Sequence, residues 1–133
     1  MISKEQMMDA VLDACPSFRP QWEAFLSEWS DEEELPLYLA LADLARHLIQ
    51  QLESGDNSSF QAVFGIVERW HIEGDAYVRE AATVGLLEDL QNEGLYRKAK
   101  PGQFREHLGN ESRRWWDKLL RFWEGRGTLS EQD

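Results

Sequence analysis

Apolar positions recur along this chain at the spacing of an α-helix, and the clearest case runs from Phe60 to Asn92. There Phe60, Val63, Phe64, Val67 and His71 fall on one helix face, and Gly74 closes the segment. Asp75 is placed to cap a second helix in which Tyr77, Val78, Ala81, Ala82, Val84, Leu86, Leu87 and Leu90 point in nearly every direction. That is the pattern of a helix surrounded by others. Ala81, Ala82 and Gly85 are small enough to let neighbouring backbones approach it closely.

Upstream, Ser3 and Gln6 predict a capping box, followed by Met8, Val11, Leu12 and Cys15 on one face and a stop at Pro16. From Pro20 to Trp29, the stripe Trp22, Phe25, Leu26 and Trp29 predicts a second helix with those four side chains in the core. A third runs from Leu35 to Leu52, with Tyr38, Leu41, Leu44, Ala45, Leu48 and Leu52 inward. The turn from Ser54 to Ser59 offers Gly55 as a C-terminal stop and Ser58 or Ser59 as the next cap. After Asn92-Glu93-Gly94 comes a basic connection, Leu95 to Pro101, then a short helix around Gln103 to Leu108. A last helix is capped by Asn110, with Trp116, Leu119, Leu120 and Trp123 inward and Trp115 and Phe122 widening the stripe.

No run shows sustained period-two alternation, so a sheet is not expected. The pattern predicts an all-α single-domain irregular bundle of about six or seven helices over residues 1–124, with a short stack resembling helical repeats as the variant arrangement. Residues 125–133 read as a flexible C-terminal tail.

Charge adds an asymmetry to this picture. Residues 1–94 hold nineteen Asp and Glu against five Lys and Arg, a balance of −14, whereas residues 95–133 hold six against nine, a balance of +3. An acidic body is repelled by nucleic acid and anionic membrane and steered toward basic protein surfaces. Its carboxylates are densest at Asp31, Glu32, Glu33 and Glu34, just ahead of the third helix or in its first turn, where the helix dipole favours negative charge. Capping needs one or two of them, which leaves the others free to contact a partner. Cys15 is the lone cysteine, so no intrachain disulfide is expected. No signal peptide or membrane-length apolar run is visible, and the expected compartment is the cytoplasm.

Glu68 and Glu88 are the residues whose chemistry stands out. Glu88 follows Tyr77, Ala81 and Val84 on an apolar face, and Glu68 lies on the flank of its own stripe. A buried carboxylate must be paired, hydrogen-bonded or protonated. Two on adjacent helices could form an acid/base pair or hold a metal; alternatively, each bonds an Arg, Trp or Tyr, or a backbone amide at a neighbouring helix end. The rarity of sites built from two carboxylates alone favours buried, structural roles. His47, His71 and His107 are scattered, and His71, on an apolar face, reads as a satisfied core histidine. Nucleophile signatures, zinc-ligand spacing and phosphate-cradling loops are absent, so neither enzyme activity nor a cofactor is expected.

Phe64, Glu68, Glu73-Gly74-Asp75, Val78, Ala82, Val84-Gly85, Leu87-Glu88 and Leu90-Gln91-Asn92 together resemble the signature of a family of small, uncharacterised, all-helical bacterial proteins. These are similar to the immunity proteins of bacterial polymorphic toxin systems, which bind a cognate toxin and block it. The resemblance implies a non-enzymatic cytoplasmic protein that neutralises a toxin with a basic surface. The alternative is an adaptor or chaperone of a bacterial secretion or regulatory system.

Overall fold

Helix boundaries fall where local chemistry stops a helix. The computed structural model describes residues 1–125, in which α1 (Met7–Ala14) ends before Pro16 and a 3₁₀ turn, Pro16–Phe18, leads into α2 (Arg19–Glu28). α3 (Leu37–Glu53) starts after Pro36. It ends with Gly55 at φ +80°, where the Gly55 amide donates to the Leu52 carbonyl at 3.2 Å and the Asp56 amide to the Gln51 carbonyl at 2.8 Å. This left-handed closure is the one glycine tolerates without strain.

α4 (Phe60–Glu73) is followed at once by α5 (Ala76–Glu80), because Asp75 accepts the Val78 amide at 2.9 Å as a cap. Gly74 is required between them for a different reason. A Cβ there would lie 2.4 Å from the Trp70 carbonyl oxygen and 2.6 Å from Val78. The N-terminus is stitched to this turn, with the Ile2 amide donating to the Glu73 carbonyl at 2.8 Å and the Asp75 amide to the Ile2 carbonyl at 2.9 Å.

The central helix continues from α5 through a π-helical segment, Ala81–Leu87, to α6 (Glu88–Leu90). Ala81, Ala82, Thr83, Gly85, Leu86, Leu87 and Leu90 are all buried, as a helix enclosed by neighbours requires. A Cβ on Gly85 would sit 2.8 Å from Leu41 Cδ1, so α3 packs directly on its backbone. Beyond 3₁₀ segments at Glu93–Leu95 and Pro101–His107, α7 (Asn110–Trp123) packs against α4 and the π segment. The protein is thus an all-α bundle around one core, with no β-sheet among the described residues.

Several expectations need correction. In α2 only Phe25 is buried; Trp22 and Trp29 are half-buried and Leu26 is 36% exposed. α3 opens at Leu37 rather than Leu35, and of the two placements expected for Asp31 to Glu34 it is the one ahead of the helix that holds. The inward face of α7 is Ser112, Trp116, Lys118 and Leu119, while Leu120, Phe122 and Trp123 are exposed. Asn110 is the first residue of α7, whose cap position is Gly109, and its side chain makes no capping bond. α1 begins at Met7, but Gln6 Oε1 does accept the Ser3 amide at 3.1 Å, half of the expected box. The expected tail falls, from residue 126 on, outside the described residues.

Candidate functional site

Asp31, Glu32, Glu33 and Glu34 are all exposed. The half-buried Leu35 packs their segment against the core beside α1. Glu33 and Glu34 line a groove of about 360 Å³ whose floor is Met8, Trp22, Leu35 and Leu37 and whose rim adds Glu5, in the turn before α1, and Asp9, in its first turn. Asp31 and Glu32 do not line it.

Lys4 also stands in this groove, 2.9 Å from Glu34 Oε1 and with its Nζ 5.5 Å from the centroid of the Tyr77 ring. The hydrogen bond to Glu34 raises the Lys4 pKa, and the same contact lowers that of Glu34. Four carboxylates around an apolar floor, with one cation held among them, suit a partner that brings both positive charge and an apolar side chain.

Glu68 has a different role. It is half-buried on α4 and caps α7 from outside that helix, its Oε2 accepting the Glu111 amide at 2.9 Å and its Oε1 the Ser112 amide at 2.8 Å. Burial pushes its pKa up, but these bonds and one from the Ser112 side chain outweigh that and hold it below the ordinary carboxylate value. Gly109 makes the approach possible, since a Cβ there would meet Glu68 Cδ at 2.5 Å.

The capped turn also presents Ser112 Oγ to His71 Nδ1 at 2.9 Å, while His71 Nε2 meets Thr83 Oγ1 at 3.0 Å. All three side chains are buried, and burial lowers the His71 pKa to about 4 despite the nearby Glu68 and Glu111. The imidazole is therefore neutral at pH 7, with one nitrogen donating and the other accepting. Both are used in joining α4, the π segment and α7. The spacing of His71 announced a satisfied core histidine, but nothing in the sequence named Ser112 or Thr83 as its partners.

Glu88 departs from its expected place. It is half-buried, and among the described residues it has no hydrogen-bond or ion-pair partner; burial and the adjacent Asp89 raise its pKa. It directly follows the π segment. A π turn holds an extra residue, so the faces beyond it lag by roughly 100° relative to a regular α-helix. Leu86, Leu87 and Leu90 fill the buried positions of this stretch, while Tyr77 and Val84, which share the expected face of Glu88, are themselves half-buried. Glu68 and Glu88 therefore do not converge.

Sequence reasoning also missed Glu53, whose Oε2 accepts the backbone amides of Arg97, Lys98 and Ala99 at 2.7, 2.5 and 3.0 Å. These bonds lower its pKa and anchor the basic connection to the end of α3. Among the described residues no group of three or more His, Cys, Asp or Glu is placed to hold a metal ion, and no helix is long and apolar enough to cross a membrane.

A family model described as a domain of unknown function, DUF7674, matches residues 8–124, and the chain belongs to that family. No curated protein and no solved structure shows a significant match to it.

Proposed function

We propose that this member of the DUF7674 family is a non-enzymatic binding protein of the bacterial cytoplasm, and specifically an immunity protein that neutralises a cognate toxin by engaging its basic surface. The observation that carries this reading is the groove in which Glu5, Asp9, Glu33 and Glu34 surround Met8, Trp22, Leu35 and Leu37. The −14 balance of residues 1–94 supplies the long-range field that would draw a basic partner toward it. The apolar floor supplies area for tight contact once it arrives. Asp31 and Glu32, exposed beside the groove, extend the same field. The Lys4–Glu34 pair is solvent-exposed, so exchanging Lys4 for a cation of the partner costs little.

Co-expression with the product of the adjacent gene tests the reading. The neighbour should arrest growth alone and be harmless beside this protein, and replacing Glu33 and Glu34 with Gln should restore toxicity. A neighbour that is harmless alone, or that stays toxic beside the wild-type chain, removes the immunity reading. An adaptor or chaperone that takes basic clients in the same groove then becomes the better account.

A further inference from the structure

A second cleft opens where the central helix ends against the end of α7, away from the groove at Lys4 and Trp22. It encloses about 490 Å³, with Glu88, Asp89 and Glu93 on one wall and Leu120 and Trp123 on the other. α7 buries Trp116 and Leu119 but leaves Leu120 41%, Phe122 41% and Trp123 59% exposed. Three large apolar side chains in water within one turn are unusual for a helix that has a core to pack on, and such a patch marks a contact surface.

The opposite wall is short of positive charge. Glu88 and Asp89 are half-buried side by side, and neither has a hydrogen-bond or ion-pair partner among the described residues, with Arg46 acting on Asp89 only through space. Gln91 ties this wall to α7. Its Nε2 donates to the Trp116 carbonyl at 3.0 Å, which leaves Oε1 buried without a donor.

Unpartnered carboxylates and an exposed indole are complementary to the same group: a planar cation with several N–H donors on an apolar stem. We propose that this cleft is a docking site for an arginine side chain carried on an apolar segment of a protein partner, with the guanidinium against Glu88 and Asp89 and the stem and neighbouring apolar side chains against Trp123 and Leu120. An arginine satisfies both walls at once. The proposal stands whether or not the protein proves to be an immunity protein, because it concerns a different surface from the Glu33–Glu34 groove.

The test is a two-dimensional amide NMR titration of the full chain with the peptide acetyl-Leu-Arg-Leu-amide, and with the same peptide carrying neutral citrulline in place of arginine. The arginine peptide should shift the Trp123 indole N–H and the amides of residues 88–93 and 120–123 saturably. The citrulline peptide should bind about tenfold more weakly, since it lacks the charge-assisted bonds. Trp123→Ala, at an exposed position, should weaken the arginine peptide, and Glu88→Gln with Asp89→Asn should abolish saturation. Equal binding of the two peptides, shifts confined to the Trp22 groove, or no saturable shift overturns the proposal. Should the double variant fail to fold, the wild-type comparison of the two peptides decides by itself.

Discussion

Replacing Glu68 with Ala removes the cap of a helix that lies on another part of the chain, and the structure sets the size of the effect. Two backbone amides lose their acceptor, those of Glu111 at 2.9 Å and Ser112 at 2.8 Å. Loss of a helix cap costs about 1 kcal/mol. Ser112 is fully buried, so its amide is left without water and adds about 1–3 kcal/mol. Glu111 is half-buried and can turn to solvent, so it adds less. The sum is about 2–4 kcal/mol, which for a chain of this length corresponds to a fall in Tm of roughly 10 °C. Glu68→Gln retains one acceptor oxygen but turns an N–H₂ toward an amide donor, and should lose about half as much.

Urea and thermal unfolding followed by circular dichroism measure both variants. The Glu68 pKa is lowered in the fold, so its contribution is present above the ordinary value of 4.5 and is lost as pH falls below it. The Ala penalty should therefore shrink in acid. A Glu68→Ala protein within about 0.5 kcal/mol of wild type, the scatter of ordinary surface substitutions, would refute the capping argument, as would a Gln variant no better than Ala.

Gly109→Ala should destabilise wild type by about 1–3 kcal/mol, because its Cβ would lie 2.5 Å from Glu68 Cδ, yet cost far less in the Glu68→Ala background; additive penalties in a double-mutant cycle would show that the glycine is needed for another reason. His71, lowered from 6.5 to about 4, is neutral in the fold and protonates in the unfolded chain, so stability should fall as pH drops from 6.5 toward 4, by about 2 kcal/mol between pH 6.5 and 5. A His71→Asn variant that kept the same slope in urea unfolding would assign it to other groups. Neutralising Asp31 to Glu34 should slow association with a basic partner and flatten its salt dependence while shifting Tm little, since all four are exposed; stopped-flow mixing across a salt series checks this, and an unchanged rate would move the binding surface elsewhere.

Helix identity was legible wherever a side chain's neighbours are close in sequence. Phe60, Val63, Phe64, Val67 and His71 are buried together on α4, Asp75 caps α5, and Gly55 closes α3 at positive φ. Each depends on contacts within about one turn, which periodicity and cap chemistry describe. The Phe64 to Asn92 segment resembled an uncharacterised family, and a domain of unknown function, DUF7674, matches residues 8–124.

Tertiary packing decided the rest. An amphipathic stripe says which face is apolar, but not how much surface the bundle has with which to cover it. So Phe25 is buried while Leu26 is not, and α7 is covered through Leu119 but bare at Trp123. Nor could spacing anticipate the π segment, beyond which Glu88 lines an open cleft. The acceptor for the first amides of α7 lies 43 residues earlier, on α4, and the amides that hold Glu53 lie 44 to 46 residues later. Such partners have no local signature, because a carboxylate can satisfy any amide that the fold brings within 3 Å. The sequence therefore determined which segments are helices and the acidity of the body; which carboxylates became caps, and which were left facing open grooves, depended on where the helices came to rest.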